Sequence, residues 1–161
     1  ISFQASKSYG ELPHSAVHAD LFRDNVLFDG EQLGGMIDFY FAGDDTWMFD
    51  LAVTCNDWCT ESASGAWDQP RLHALLDAYC RTRTPLEAEL EAWPFALRAA
   101  AFRFWVSRLF DLYLPREASL LTPKDPSQFE RVLIARHGDH QLASLRESIA
   151  RVDQASTTAA S

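Results

Sequence analysis

The sequence predicts a mainly helical α+β domain carrying one small β-hairpin, and three observations support that class. Two short runs rich in strand-forming residues, Val26-Leu27-Phe28 and Leu33 to Phe39, flank the turn dipeptide Asp29-Gly30, the signature of a hairpin. From Gly43 onward apolar residues recur at three- and four-residue spacing, which is helical periodicity. Capping residues and prolines punctuate those stretches into four or five helices.

The elements follow in order. The first dozen residues are polar and irregular, and Ala16-Val17-His18 makes a short extended lead into the segment 18–25. In the hairpin's returning strand, Gly34-Gly35 weakens the pairing and marks a bulge or a close backbone approach. Trp47 to about Thr60 reads as the first helix, with Asp44, Asp45 and Thr46 available as caps. Pro70 opens a second helix to about Arg83, with Leu72, Leu75, Leu76 and Tyr79 on one face. The region Leu86 to Tyr113 is helical with a break or kink expected near Pro94, and Phe95, Phe102, Trp105, Val106, Leu109 and Tyr113 form a stripe expected to be core. Pro115 is expected to stop it. Pro126 is expected to start a last helix through about Val152, ahead of a frayed Ser/Thr/Ala tail at 153–161.

At 161 residues and 47% hydrophobic content, the chain is long enough to bury one core. A net charge of −9 argues against a nucleic-acid binder, which concentrates Lys and Arg to displace counterions. No apolar run approaches the roughly 20 residues of a membrane span, so no membrane partner is expected. The odd cysteine count, Cys55, Cys59 and Cys80, points to reduced core thiols and a cytoplasmic setting.

Two acids and an amide carry the chemistry: Asp20, Asn25 and Asp38. Asp20 and Asn25 sit in the loop before the hairpin and Asp38 near the end of its second strand. Folding a hairpin brings its ends together, so the three should share one site. Hard oxygen ligands of this kind suit Mg²⁺, which keeps the rest of its shell for water and phosphate. Phosphoryl transfer needs such a set: one carboxylate to orient a hydroxyl and take its proton, and an Asp and an Asn to hold the cation against the phosphates of ATP.

His18-Ala19-Asp20-Leu21-Phe22-Arg23-Asp24-Asn25 and Ile37-Asp38-Phe39-Tyr40 resemble the catalytic loop and metal-binding segment of the aminoglycoside phosphotransferase and choline kinase superfamily, distant relatives of protein kinases. Within it, these segments together with Asp50-Leu51-Ala52 and Arg103-Phe104-Trp105 are most similar to the branch whose acceptor is homoserine. The resemblance covers most of residues 13–135. It implies a protein-kinase-like C-terminal lobe, residues 1–152, with the hairpin beside the catalytic loop. Asp20 would be the catalytic base, Asn25 and Asp38 the Mg²⁺ ligands, His18 a brace for the loop, and Asp50 an acid tying the first helix to it. Asp24 would brace the loop as well. Where many protein kinases have a Lys two residues after the base, Phe22 stands here; Arg23, or a charge from elsewhere, would supply the cation for the nucleotide phosphates.

An acceptor such as homoserine carries a carboxylate and an ammonium, and a guanidinium fork suits the former. Arg103 and Arg108 are candidates for that role and Asn56 and Asp57 for the ammonium; a pair of Arg108 with Asp111 one helical turn away is the alternative reading. Trp58, Trp93 and Trp105 read as packing rather than a substrate cage. The resemblance also implies an amino-terminal lobe with a Gly-rich loop and a strand lysine. Only Lys7 and Lys124 are present here, neither in a strand context. The chain is therefore expected to be a fragment, inactive alone, whose partners are that missing lobe and a small-molecule substrate. Other readings are a kinase for an aminoglycoside or choline, a metal-dependent phosphoesterase, and a non-catalytic interaction module.

Overall fold

The structure, a computed structural model, describes residues 12–114, 124–137 and 141–159. The irregular segment 1–11, Lys7 and the stop at Pro115 lie outside them. The described chain is mainly helical α+β. It consists of β1 (His14–Val17), β2 (Val26–Asp29), β3 (Gln32–Met36), β4 (Gly43–Thr46), α1 (Trp47–Trp58), α2 (Gln69–Thr82), α3 (Glu87–Tyr113), α4 (Ser127–Ala135) and α5 (Gln141–Ala159).

The hairpin β2–β3 turns at Gly30, whose φ of 60° is the left-handed conformation that a side chain resists. Its register shifts between Leu27 and Phe28, which face Gly35 and Leu33, so Gly34 is the extra residue of a bulge. The returning strand ends at Met36, short of the Phe39 expected. Asp38 lies beyond it in left-handed backbone, φ 60° and ψ 58°, just before a 3-10 turn at Phe39–Phe41. A second ribbon was not anticipated: β4 pairs antiparallel with β1, His14 opposite Thr46 and Val17 opposite Gly43. Asp44 and Asp45 are therefore strand residues rather than caps, and Thr46 alone caps α1, its Oγ1 accepting the Phe49 N–H at 3.3 Å.

Helices α1 and α3 make the most extensive contact and form the centre of the core. Met48, Ala52, Val53 and Cys55 of α1 are completely buried, as are Trp93, Leu97, Ala100 and Ala101 of α3. Small residues on α3 let the two axes approach closely. The aromatic stripe expected to be core is not the buried face: Phe102, Val106 and Tyr113 are 42%, 43% and 74% exposed. α3 is also one continuous helix through Pro94, without the expected break. Its start is set by Glu89, fully buried, which accepts the Leu86 N–H at 2.8 Å and pairs with Arg83 at 2.5 Å. The single last helix expected from Pro126 is two, α4 and α5, and α5 passes Val152 to reach Ala159.

Arg136, at the end of α4, is the largest surprise of the interior. It is fully buried, lies 3.2 Å over the Trp67 ring, and donates to Asn56 Oδ1, the Gly65 carbonyl and Thr60 Oγ1. No carboxylate is among those acceptors, and burial pushes its guanidinium down to about 9. The three cysteines are free and buried. Among the described residues, no helix is long and apolar enough to cross a membrane.

Candidate active site

The segment His18–Asn25 is staked to the helices at successive residues. Ala19 has φ 60°, unusual for a residue with a Cβ, and its peptide is held on both sides. Asp50, in the first turn of α1, accepts the Ala19 N–H at 2.6 Å, and Arg103 of α3 donates to the Ala19 carbonyl at 2.5 Å. Next along, the Leu21 carbonyl accepts from Trp58 Nε1 at 3.0 Å. Phe22 plugs into the core against Phe104 and Phe129, ring centroids 4.5 and 5.7 Å away. These anchors leave Asp20 half-buried between them.

Asn25 and the segment around Asp38 close on Asp20 from the hairpin side. Asn25 Nδ2 donates to the Asp20 carbonyl at 2.8 Å and to its Oδ2 at 3.3 Å. The Ile37 N–H bonds the Asn25 carbonyl at 3.0 Å, and the Ile37 carbonyl lies 2.9 Å from His18 Nε2. A carbonyl only accepts, so Nε2 carries the hydrogen; Nδ1 is buried without a partner among the described residues. His18 therefore ties the loop to the residue before Asp38. Burial raises the Asp20 carboxyl above its ordinary 3.8, opposed by the Arg103 guanidinium and assisted by the negative charge of Asp38. Asp20, Asn25 and Asp38 thus converge, with Arg103 as the cation Asp20 feels.

Of the remaining candidates only Arg103 reaches the loop peptide beside Asp20. Arg23 is not free for a nucleotide: its Nε and its backbone N–H both bind Asp57 Oδ2, at 3.0 and 2.9 Å. Asn56 is corrected outright as a substrate contact, because it is 1% exposed with its amide spent on the Leu97 carbonyl and on Arg136. Arg108 turns to the Asp125 carbonyl and Gln128 Oε1 rather than to Asp111. Arg103 touches the loop and stacks over Phe41 and Phe104, each 4.7 Å from its guanidinium carbon. Asp24 pairs with Lys124 at 2.5 Å, a contact across 100 residues of sequence that no local pattern announces. Trp93 is buried, while Trp58 serves the loop. Among the described residues, no three His, Cys, Asp or Glu side chains gather as a metal site.

A carboxylate in a helix-anchored loop, touched by an amide and close enough to a second carboxylate to feel its charge, is an oxygen-rich centre suited to phosphate chemistry. The chain belongs to the phosphotransferase enzyme family, which it matches over residues 4–93. It is similar to the homoserine kinases of Janthinobacterium sp. (strain Marseille), at 54% identity over 84% of this chain and 42% of the relative, and of Ralstonia pickettii (strain 12J), at 57% identity with the same coverage. The homoserine kinase of Burkholderia ambifaria (strain MC40-6) is 52% identical over 84% of this chain and 43% of that protein. The chain thus spans about 42% of the length of the curated relatives it matches.

Proposed function

We propose that this chain carries the catalytic centre of an ATP-dependent kinase that phosphorylates the hydroxyl of a small alcohol, homoserine, within a protein-kinase-like lobe. The observation that carries the reading is the convergence of Asp20, Asn25 and Asp38, with Asn25 Nδ2 3.3 Å from Asp20 Oδ2. The names of the similar proteins supply the acceptor.

Asp20 takes the proton of the acceptor hydroxyl as its oxygen bonds the γ-phosphorus of ATP and the bond to ADP breaks. A carboxyl raised by burial is a better proton acceptor than an ordinary Asp. Asn25 and Asp38 would hold Mg²⁺. The residues fit, since both offer oxygen, and Asn25 directs its amide nitrogen at Asp20, leaving its amide oxygen unbonded among the described residues. When bound, that cation neutralises phosphate charge. Arg103 supplies positive charge beside Asp20, the part first assigned to Arg23. The phosphate-covering loop and the strand lysine are assigned to sequence outside this chain. The exposed hairpin side chains Phe28, Leu33 and Met36 offer apolar surface for such a segment to cover.

Full-length protein with Asp20→Asn should lose about 10²–10⁴-fold in turnover while nucleotide binding persists. An acceptor panel followed by ADP release should prefer homoserine to choline or an aminoglycoside. Undiminished turnover by Asp20→Asn would remove the base, and the opposite preference would remove the acceptor.

A further inference from the structure

Beside the catalytic loop lies a charged cavity of about 300 Å³ whose lining includes Phe22, Arg23, Asp24, Asp57, Arg108 and Lys124. We propose that this cavity binds the charged end of an amino-acid acceptor, with Arg108 on its carboxylate and Asp57 and Asp24 facing its ammonium. The inference rests on the amino-acid alcohol reading above and adds the site that would recognise the amino acid.

Charge pairing around the cavity is incomplete in one direction. Arg23 is matched by Asp57 at 3.0 Å and Lys124 by Asp24 at 2.5 Å. Among the described residues Arg108 has no ion-pair partner. Its two hydrogen bonds there run through Nη1 to neutral oxygens, the Asp125 carbonyl at 3.0 Å and Gln128 Oε1 at 2.9 Å, and its guanidinium lies 4.5 Å over the Phe129 ring. Only 8% of the residue is exposed, so water solvates this charge poorly. A desolvated guanidinium held flat by a ring, with donors to spare, is matched to a carboxylate in geometry and charge.

The two acids decide the class of ligand. Three cations against two acids leave one positive charge for a carboxylate, and Asp57 and Asp24, each paired with a cation on one side, line the walls where an ammonium would share their oxygens. A zwitterion brings both groups. The volume sits at the small end of ligand cavities and suits a molecule the size of an amino acid. Position fits as well: Phe22, Arg23 and Asp24 follow Asp20 directly, and the Asn25 N–H bonds the Phe22 carbonyl at 3.0 Å, so one tight loop presents both the base and the cavity wall.

The test pairs variants of the full-length protein with trimmed acceptors. 3-Aminopropan-1-ol is homoserine without its carboxylate, and 4-hydroxybutanoate is homoserine without its ammonium. Arg108→Met should raise KM for homoserine about 10- to 100-fold, the loss of a charge-assisted contact, and leave kcat/KM for 3-aminopropan-1-ol within about twofold. Arg108→Lys, which keeps the charge without the fork, should fall between. Lys124→Met alters an exposed pair and should weaken only acceptors that carry a carboxylate. Equal losses with homoserine and 3-aminopropan-1-ol, or no loss with homoserine, overturn the assignment. Calorimetric titration with homoserine separates this inference from the reaction itself. Binding that depends on Arg108 in a protein without kinase turnover would keep the cavity and remove the phosphotransfer reading. Turnover that needs Asp20 but ignores Arg108 would do the reverse.

Discussion

The peptide of Ala19 is a balance that mutation can tip. Left-handed backbone costs a residue with a Cβ about 1–2 kcal/mol, and Ala19 holds φ 60° because Asp50 captures its N–H at 2.6 Å. A carboxylate–amide bond of that kind contributes about 1.5–3 kcal/mol. Asp50→Ala should therefore cost only about 0–2 kcal/mol, the bond lost less the strain released as Ala19 relaxes. Ala19→Gly in the presence of Asp50 should stabilise by up to about 1 kcal/mol, since glycine sheds the strain and returns part of it as chain entropy. In the Asp50→Ala background the same glycine should destabilise by about 0.5–1 kcal/mol, having no strain left to relieve. The cycle thus predicts a coupling of about 1–2 kcal/mol, readable by urea unfolding followed through tryptophan fluorescence. Turnover of the full-length protein should fall much further in Asp50→Ala, about 10²-fold, because Asp20 is the next residue and positioning errors near 1 Å are that costly. Additive stabilities, or a turnover loss no larger than the stability loss, would refute the balance.

Four further outcomes can be measured on the same protein. Burial raises the Asp20 carboxyl, so the acid limb of kcat/KM should lie above the ordinary 3.8, with activity lost as pH falls through the raised value. Because the folded state disfavours that charge, the fold gains stability as Asp20 is protonated, and Asp20→Asn should melt no lower than wild type at neutral pH by scanning calorimetry. Asn56→Ala removes the side-chain bond to the Leu97 carbonyl and an acceptor from buried Arg136, a loss of about 2–4 kcal/mol in urea unfolding. Gly65→Ala places a Cβ 2.6 Å from the Arg131 carbonyl carbon and oxygen at φ 75°, so about 2–4 kcal/mol should be lost by the same measurement.

The convergence of Asp20, Asn25 and Asp38 was legible because a hairpin turn at Asp29-Gly30 allows few ways to fold, and the Gly34 bulge was legible for a similar reason. Helices α1 and α2 could be read from caps and period alone. The ribbon β1–β4 could not: Gly43-Asp44-Asp45-Thr46 carries no strand pattern, and it pairs because its backbone meets that of His14–Val17 after the chain has turned back. On α3 the conspicuous residues misled. Bulky Phe102 and Val106 face outward while Ala96, Ala100 and Ala101 face in, since close approach of α1 rewards small side chains that a hydrophobicity count undervalues. No local pattern announces the burial of Arg136, which three oxygens from distant segments and the Trp67 ring make tolerable. Arg23 and Asp57 were read as separate ligand contacts, and the fold pairs them with each other on one wall of the charged cavity.

The bond from Arg103 to the Ala19 carbonyl spans 84 residues of sequence. On a ribosome adding about 5–20 residues per second, the loop therefore emerges on the order of ten seconds before the guanidinium that steadies it. Every nascent chain passes through a period in which Asp20 exists but lacks its cation, so translation completes the chemistry of this loop long after it has completed the loop's own sequence.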